Sequence, residues 1–505
     1  MKKTYGVSNG GFVASTDDLK AKQNGIEITE VRDPGESEAQ EGAENRATWG
    51  NSIEFLMSCI SMSVGLGNIW RFPFIAYENG GGAFLIPYII VLIIVGKPMY
   101  YMEMILGQFT SRSSVKIWAV SPIFKGIGIG QMVGTCSVIS YYCSMIGLTL
   151  NYLFSSFQSE LPWSRCREEW GENCVDSKPN PNQTNIENGV SSSEFYFMKE
   201  VLKAKEQIDD GIGVPDWKMT LWLLLAWVLV FIIISRGVKS SGKAAYFLAI
   251  FPYVVMIILL IRACTLEGAG EGILFFIKPQ FSELLNPKVW KEAVVQCFFS
   301  LATGMGPIIM FASYNNFHHN VYRLGGQWML DLVDHYGGTF LIFALAVVEL
   351  VAIFWVYGLA DFILDTQFMC KRYLGIYWRY CWSFVTPVFM MAIFIYYMAT
   401  LKPLTFGDSH YPEAAHVAGW ILFGIGLLQL PLWASYAIGC RGSFMDNVRK
   451  SARPTEEWGP KNPKYYLEWK QFKADIKARN DLYNAERNYP KWKIALRNFF
   501  GIYVN

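Results

Sequence analysis

The sequence has little net charge and little cysteine, and each of these features argues against one class of protein. Over 505 residues the formal net charge is only +2, and charged residues make up 17% of the chain. Such a balance gives no indication of nucleic acid as a partner, because phosphates attract clustered Lys and Arg. Ten cysteines are too few for a disulfide-rich scaffold of this length. The sequence also shows no phosphate-binding loop, metal-binding cysteine cluster or nucleophile arrangement, so an enzyme is not indicated.

Apolar sequence, in contrast, is abundant. The mean hydropathy is +0.22, and 16% of the residues are aromatic. Apolar runs of about 20 residues recur along the chain, and a helix of that length crosses the hydrocarbon core of a bilayer. We therefore predict an all-α, polytopic membrane protein. The nine predicted spans lie near residues 53–76, 84–106, 126–156, 218–235, 244–262, 292–322, 337–359, 381–401 and 417–440.

Basic residues in the short loops predict the side of the membrane that each loop occupies, because short loops with Lys and Arg stay in the cytoplasm. Such residues lie between the second and third spans and between the fourth and fifth: Arg112, Lys116, Lys125, Arg236, Lys239 and Lys243. The polar segment before the first span is not a signal peptide. We predict a disordered cytoplasmic tail over 1–51, a transmembrane transporter domain over 52–440 and a cytoplasmic tail over 441–505.

The loop over 157–217 is then extracellular. It contains Cys166 and Cys174, eight residues apart, and a glycosylation sequon at Asn182. Close cysteines in an extracellular loop favour a disulfide, the alternative being two free thiols. We predict a Cys166–Cys174 disulfide and a glycan on Asn182.

The first predicted span is interrupted over 61–74, with the sequence SMSVGLGNIWRFPF. Gly65 and Gly67 alone fit close helix packing as well as they fit a site. Asn68 and Arg71 favour a binding site over helix packing, because polar groups inside an apolar span are energetically costly and usually have a function. A broken helix at this depth is tolerated where it lines a cavity. We interpret the stretch as a substrate and ion site.

The sixth predicted span repeats this design, with small residues over 300–306 followed by Pro307. Two interrupted helices in corresponding places indicate a binding site at the midplane of an inverted-repeat transporter. Their broken ends offer N–H groups to an anion and carbonyls to a cation. A substrate carboxylate and a sodium ion fit that pairing.

Nine stretches of the sequence match motifs of one family of membrane proteins. They are RATWGNSIEFLMS, GNIWRFPF, ENGGGAFLIPY, EMILGQF, SYYCSMIGL, SLATGMG, FASYNNFHHNVY, FWVYG and CWSFVTP. With them the chain resembles the neurotransmitter:sodium symporter family over 46–322 and 325–440, and within it the insect sodium-dependent nutrient amino acid transporters. The resemblance implies a leucine-transporter-type inverted repeat. It also implies sodium-coupled symport of amino acids across the plasma membrane, by alternating access through a multi-pass protein.

The resemblance further implies two sodium sites built from oxygen donors, which a hard cation requires. The first takes the Ser63 carbonyl, the Asn68 amide and the Ser300 hydroxyl. The second takes carbonyls of Ser61 and Val64, and its other ligands come from the family's eighth helix.

Substrate binding is implied for Gly65, Gly67, Tyr142, Phe299 and Ser300. The Gly67 amide and the Tyr142 hydroxyl would bind the carboxylate, and Phe299 would close over the substrate. Without the matched motif, Tyr142 would be read as an ordinary membrane tyrosine. Relatives that carry amines have an aspartate at the position of Gly65. The glycine leaves the cavity neutral, which favours amino acids.

Chloride dependence is suggested by Tyr88, Gln296 and Ser300, which match three positions of the chloride site in chloride-dependent relatives. Glu349 lies in the middle of a span and has two interpretations, a polar structural role and a role in ion coupling.

Two gates are implied by the same resemblance. The outer gate pairs Arg71 with Asp334, and the inner latch uses Arg46 and Trp49.

The second half of the chain departs from the family pattern. After Tyr322 the sequence passes directly to a segment that resembles the approach to the family's tenth helix. More than a hundred residues, and with them the seventh to ninth helices, have no counterpart. A splice form, a faulty gene model and a natural variant all fit this observation. The alternative function is therefore a transport-inactive truncated isoform that binds or regulates a full-length transporter. A channel is a weaker alternative.

The odd number of spans creates a conflict of orientation. Six spans return the chain to the cytoplasm near Arg323, so the next span would run outward and place Lys371, Arg372 and Arg379 outside. That placement contradicts the positive-inside rule. Either the last three spans insert upside down, or one apolar segment does not span.

Overall fold

The computed structural model describes most of the unit from Ala47 to Asn505. The described residues are 48–63, 71–171, 173–177, 189–203, 215–266, 268–278, 280–319, 341–400, 405–406, 409–410, 413–439 and 443–502. This part of the protein is α-helical apart from two pairs of two-residue strands, so the predicted all-α polytopic fold is confirmed. Strand β1 (Cys174–Val175) pairs in parallel with β2 (Val190–Ser191), and β3 (Thr405–Phe406) pairs antiparallel with β4 (Ser409–His410).

All nine predicted spans correspond to helices. The helices are α1 (Ser52–Ser63), α2 (Arg71–Glu78), α3 (Gly81–Thr110), α4 (Lys125–Ser155), α5 (Trp217–Ile234), α6 (Val238–Cys264), α7 (Ala269–Ile277), α8 (Pro287–Leu301), α9 (Pro307–Ala312), α10 (Leu341–Cys370), α11 (Ile376–Ala399), α12 (Glu413–Ile438), α13 (Phe444–Ser451), α14 (Pro463–Glu486) and α15 (Lys491–Phe499). Within the described ranges, seven helices are long and apolar enough to cross a membrane, namely α3 to α6 and α10 to α12. The first predicted span contains α1 and α2, and the sixth is the broken pair α8/α9.

Shorter segments connect these helices. The loop predicted to be extracellular contains a helix over Ser192–Phe195 that continues as a π-helical turn over Tyr196–Val201. Short 3-10 turns cover Lys116–Val120, Pro122–Phe124, Glu168–Trp170 and Phe281–Leu285.

Three long helices contain π-helical turns, at Leu92–Gly96 in α3, Val351–Gly358 in α10 and Cys381–Val385 in α11. A π turn leaves backbone carbonyls without their usual i+4 partner. Two of these carbonyls are bonded from α11, since Thr386 Oγ1 donates to Ile94 O at 2.6 Å and the Tyr377 hydroxyl donates to Ile93 O. The wide turn in α3 is therefore stabilised by its neighbour.

Helix α3 lies at the centre of the described fold, and from Pro98 to Thr110 every residue is buried. It approaches α9 so closely that a Cβ atom on Gly107 would lie 2.1 Å from Ile309 O. On another side, Trp382 of α11 donates from Nε1 to Pro98 O at 2.9 Å. Packing of α3 thus fixes the place of the second broken helix.

The position of α10 bears on the conflict of orientation that the sequence created. His318, just beyond α9, contacts Met369 O at 2.9 Å through Nδ1, and the Phe317 and Phe368 rings lie 5.9 Å apart. The end of α10 therefore lies at the same face as the end of the sixth span.

Helices α10 to α12 are all long and apolar enough to cross a membrane, and α10 ends at the face where the sixth predicted span ends. Lys371 and Arg372 follow directly after α10 and lie at that face. The orientation of the last three spans stays a prediction, because residues 320–340 lie outside the described part.

The C-terminal tail packs against this same face. The sequence predicts a solvated helix over about 465–489 at the membrane surface; the structure places a helix at Pro463–Glu486, but Trp458 and Trp469 are buried. Both rings contact Phe109 at the end of α3, with ring centroids 5.6 Å apart. Aromatic burial therefore makes the tail part of the folded domain.

Candidate functional site

The first predicted break falls largely on residues 64–70, which lie outside the described residues. On either side of them, α1 extends to the buried Ser63 and α2 begins at Arg71. Ser61 donates from Oγ to Ser58 O at 3.0 Å. The predicted ligands Val64, Gly65, Gly67 and Asn68 lie outside the described residues, so their roles stay predictions.

The second break is described completely along the backbone. Helix α8 ends at Leu301, and α9 begins at Pro307. Between them Ala302, Gly304 and Gly306 have φ values of +50°, +76° and +94°. This left-handed backbone cannot continue a helix and favours glycine. Proline is well suited to the first helical position, where its missing N–H has no intrahelical partner. The break predicted over 300–306 is confirmed.

A buried carboxylate from α3 holds the second break in place. Gly304 N donates to Glu103 Oε1 at 2.5 Å, and Glu103 is 0% exposed. From α4, Thr135 Oγ1 donates to Met305 O at 3.1 Å. The two bonds satisfy backbone groups that the broken helix leaves free. Sequence reasoning missed Glu103, although an acidic residue inside an apolar span was a visible signal.

Glu349 of α10 lies beside this arrangement and is also 0% exposed. Gln131 of α4 donates from Nε2 to Glu349 Oε2 at 2.8 Å. Glu349 is close enough to Glu103 for the two carboxyl groups to interact electrostatically. Side chains from α3, α4 and α10 therefore converge on the break between α8 and α9.

The residues predicted for substrate and chloride lie on helices around the two breaks. Tyr88 and Gln296 are buried, and the segment of α3 that carries Tyr88 packs against α8. Tyr88 also contacts Phe72 of α2, with ring centroids 5.2 Å apart. Tyr142 is half-buried on α4. Phe299 and Ser300 occupy the last turn of α8, and their side chains are outside the described part.

Trp49 fixes the start of α1 to the end of α9. Its indole Nε1 donates to Phe311 O at 2.9 Å, and its backbone N–H donates to Tyr314 O at 3.2 Å. The predicted partner Arg46 and the outer-gate residue Asp334 lie outside the described residues. The position of Trp49 agrees with an inner latch, and the gate assignments stay predictions.

The loop over 157–217, which is predicted to be extracellular, contains the predicted disulfide between Cys166 and Cys174. Near it, Cys166 N donates to Asp176 Oδ1 at 2.6 Å. Asn182 lies outside the described residues, so its glycosylation stays a prediction.

Comparisons with known proteins identify similar sequences over most of the chain. A profile described as the sodium:neurotransmitter symporter family matches residues 46–324 and 323–440. Proteins named sodium-dependent nutrient amino acid transporter 1 are similar in several fruit flies. The one from Drosophila erecta is 46% identical, with 89% of this chain and 93% of the relative covered. The one from Drosophila yakuba is 44% identical, with 95% and 98% covered.

The alignments are longer than the chain. That with the Drosophila erecta protein runs over 598 positions but covers 89% of 505 residues, which is about 449. About 149 positions of the relative therefore have no counterpart here. The two segments matched by the family profile meet at residues 323–324. This agrees with the expectation that more than a hundred residues are absent after Tyr322.

Proposed function

The chain belongs to the sodium:neurotransmitter symporter family, and we propose that it carries amino acids across the plasma membrane by sodium-coupled symport. The observation that carries this proposal is the broken helix α8/α9, which lies inside the span where the sequence predicts a substrate and ion site. The relatives' name, sodium-dependent nutrient amino acid transporter 1, supports both the ion and the class of substrate.

Sodium is the coupling ion in this proposal. The end of α1, with Ser61 and Ser63, and the last turn of α8, with Ser300, supply oxygen donors next to the two breaks. Asn68 adds an amide oxygen, and Val64 adds a carbonyl. Sodium binding would order both breaks before the substrate enters.

The substrate carboxylate would bind where backbone N–H groups and the Tyr142 hydroxyl face the cavity. Gly65 and Gly67 have no charged side chain and so provide no fixed counter-charge for an amine. A zwitterionic amino acid brings its own carboxylate to the site, so it fits better than an amine alone.

We also propose that transport depends on chloride. Tyr88 and Gln296 are buried on neighbouring helices, and Ser300 lies one turn along from Gln296. A hydroxyl, an amide and a second hydroxyl are donors that an anion accepts. Uptake measured with gluconate in place of chloride tests this assignment.

Uptake of a labelled neutral amino acid mixture tests the main proposal, in cells that express the 505-residue chain. Sodium is present in one arm and replaced by choline in the other. We expect sodium-dependent uptake that Asn68→Ala abolishes and Asn173→Ala, in the exposed loop, preserves. Surface biotinylation shows that each variant reaches the plasma membrane. Surface-expressed chain without sodium-dependent uptake would overturn the proposal.

A second candidate function is regulation of a longer transporter. It is favoured by the aligned positions of the relatives that have no counterpart in this chain. A transport-inactive chain could associate with a longer transporter and lower its activity. Co-expression separates the two functions, since a regulator reduces uptake by the longer protein and supports none alone. Unchanged uptake by the longer protein argues against this second function.

A further inference from the structure

The second break encloses polar atoms without partners. Glu103 Oε1 and Glu349 Oε2 each accept one hydrogen bond, but within the described part Glu103 Oε2 and Glu349 Oε1 have none. Gln131 Oε1 and Thr303 Oγ1, also fully buried, lack partners there too. Three of these four oxygens only accept hydrogen bonds, so the cluster has a shortage of donors.

The charge of the cluster is also unbalanced. No ion pair among the described residues includes Glu103 or Glu349, and the groups that act on them are each other, Gln131 and the Gly304 N–H. Two interacting carboxylates in a buried site without a cation cannot both stay ionised, because desolvation and mutual repulsion oppose the second charge. One proton removes that charge and supplies the missing donor.

We propose that Glu103 and Glu349 hold one proton between them and form a proton-binding site at the second broken helix. The proton is bonded to one of the unpartnered oxygens, Glu103 Oε2 or Glu349 Oε1, and turns that oxygen into a hydrogen-bond donor inside the cluster. Gly304 N–H and the Gln131 amide remain bonded to the other two oxygens. The site thus depends on residues of α3, α4, α10 and the break itself.

A role in transport follows if the chain moves as the proposed function requires, and only this step rests on that function. Movement of α9 away from α3 would separate Gly304 from Glu103 and admit water. The O–H bond would then break, and the proton would pass to water, leaving two solvated carboxylates. Closure would take up one proton again from solvent.

Other titratable groups near the pair do not account for a response between pH 6 and pH 8. In the described structure these groups are Tyr100, on the same helix as Glu103, and Cys59 of α1, which is hydrogen-bonded to Tyr100. Phenols ordinarily titrate near pH 10 and thiols near 8.5, and both groups are also present in Glu349→Gln, so they contribute equally to the unmodified chain and to this variant.

Infrared spectroscopy of the purified full-length chain in detergent tests the proposal directly. At pH 7 we expect the carbonyl stretch of a buried protonated carboxylic acid, absent from both Glu349→Gln and Glu103→Gln. The matched control is Glu271→Gln, on the exposed helix α7. Absence of this band from the unmodified chain, or its persistence in both glutamine variants, would overturn the proposal.

Thermal unfolding provides a second readout. Glutamates in the unfolded chain lose their protons above about pH 4.3, so unfolding above that pH releases the shared proton. Each unit of rising pH therefore increases the equilibrium constant for unfolding about tenfold. Between pH 6 and 8 the melting temperature should fall more steeply for the unmodified chain than for Glu349→Gln. Parallel curves contradict the proposal. Glu103→Gln serves in the same way if Glu349→Gln does not fold. Neither readout needs transport, so failure of the uptake experiment leaves this test intact.

Discussion

Lys473 connects the C-terminal helix α14 to α10, and its removal is the sharpest test of the tail's place in the fold. Its Nζ lies 2.8 Å from Asp361 Oδ1 and 3.2 Å from both Asp365 Oδ1 and Tyr357 Oη. The lysine side chain is 14% exposed and that of Asp365 only 1%. Burial lowers the pKa of Lys473, but attraction to Asp365 and Asp361 outweighs it, so the pKa lies above its usual value.

The expected magnitude follows from this burial. Removal of one partner from a buried ion pair costs about 3–5 kcal/mol, because the other charge stays buried alone. Asp365 would keep two hydrogen bonds, from the Tyr357 hydroxyl and from Trp469 Nε1 at 2.8 Å. We therefore expect the lower end, about 3 kcal/mol, for Lys473→Met. Lys477 provides a matched control, since it pairs with Asp361 at 3.3 Å but is 54% exposed, and Lys477→Met should cost about 0–1 kcal/mol.

Thermal unfolding of the purified variants measures the difference. Lys473→Met should lower the melting temperature well below that of Lys477→Met, and Lys473→Met combined with Asp365→Asn should recover part of the loss. The raised pKa keeps the lysine charged in the folded state, so its stabilisation is complete below about pH 10.4 and is lost only as pH rises through the folded value. Equal losses for the two lysines at pH 7 would refute the reasoning.

Two further substitutions test packing and the extracellular loop. Gly107→Ala places a Cβ 2.1 Å from Ile309 O and should lower the free energy of unfolding by at least about 1–3 kcal/mol. In the control Gly272→Ala the new Cβ meets nothing within 4 Å, so the free energy of unfolding should rise by about 0.5–1 kcal/mol. Thermal unfolding compares them, and a stable Gly107→Ala contradicts the close approach of α3 and α9. Cys174→Ser should free the half-buried Cys166 for labelling on intact cells by a maleimide that does not cross membranes. Labelling no higher than in the unmodified chain would contradict the disulfide or its extracellular placement.

The sequence was informative where one short stretch determines its own structure. A span of about 20 apolar residues has few alternatives to a transmembrane helix, so all nine were located. Gly304 and Gly306 adopt positive φ values within the predicted break, because small residues before Pro307 are a local signal for interruption. The pairing of Cys166 with Cys174 was also predictable, since only eight residues separate them.

Contacts between distant segments were not predictable in this way. Glu103 and Gly304 are 201 residues apart, and nothing in either neighbourhood specifies the other. The tail was expected to be solvated because its helix is rich in charge, yet Trp469 and Lys473 form the inner face that packs on Asp365. A charged side chain can be buried when a partner of opposite charge lies on the surface against which it packs. That partner is distant in sequence, so only the structure identifies it.

The segment that relatives have after residue 323 affects the two breaks unequally. The described polar contacts of the second break come from α3, α4 and α10, all of which the chain contains. The first break, in contrast, would share its second sodium site with the family's eighth helix, which has no counterpart here. A chain that folds around the second break but binds sodium weakly at the first would therefore show the pH response of Glu103 and Glu349 without sodium-dependent uptake. Measurement of both in the same preparation separates loss of folding from loss of coupling.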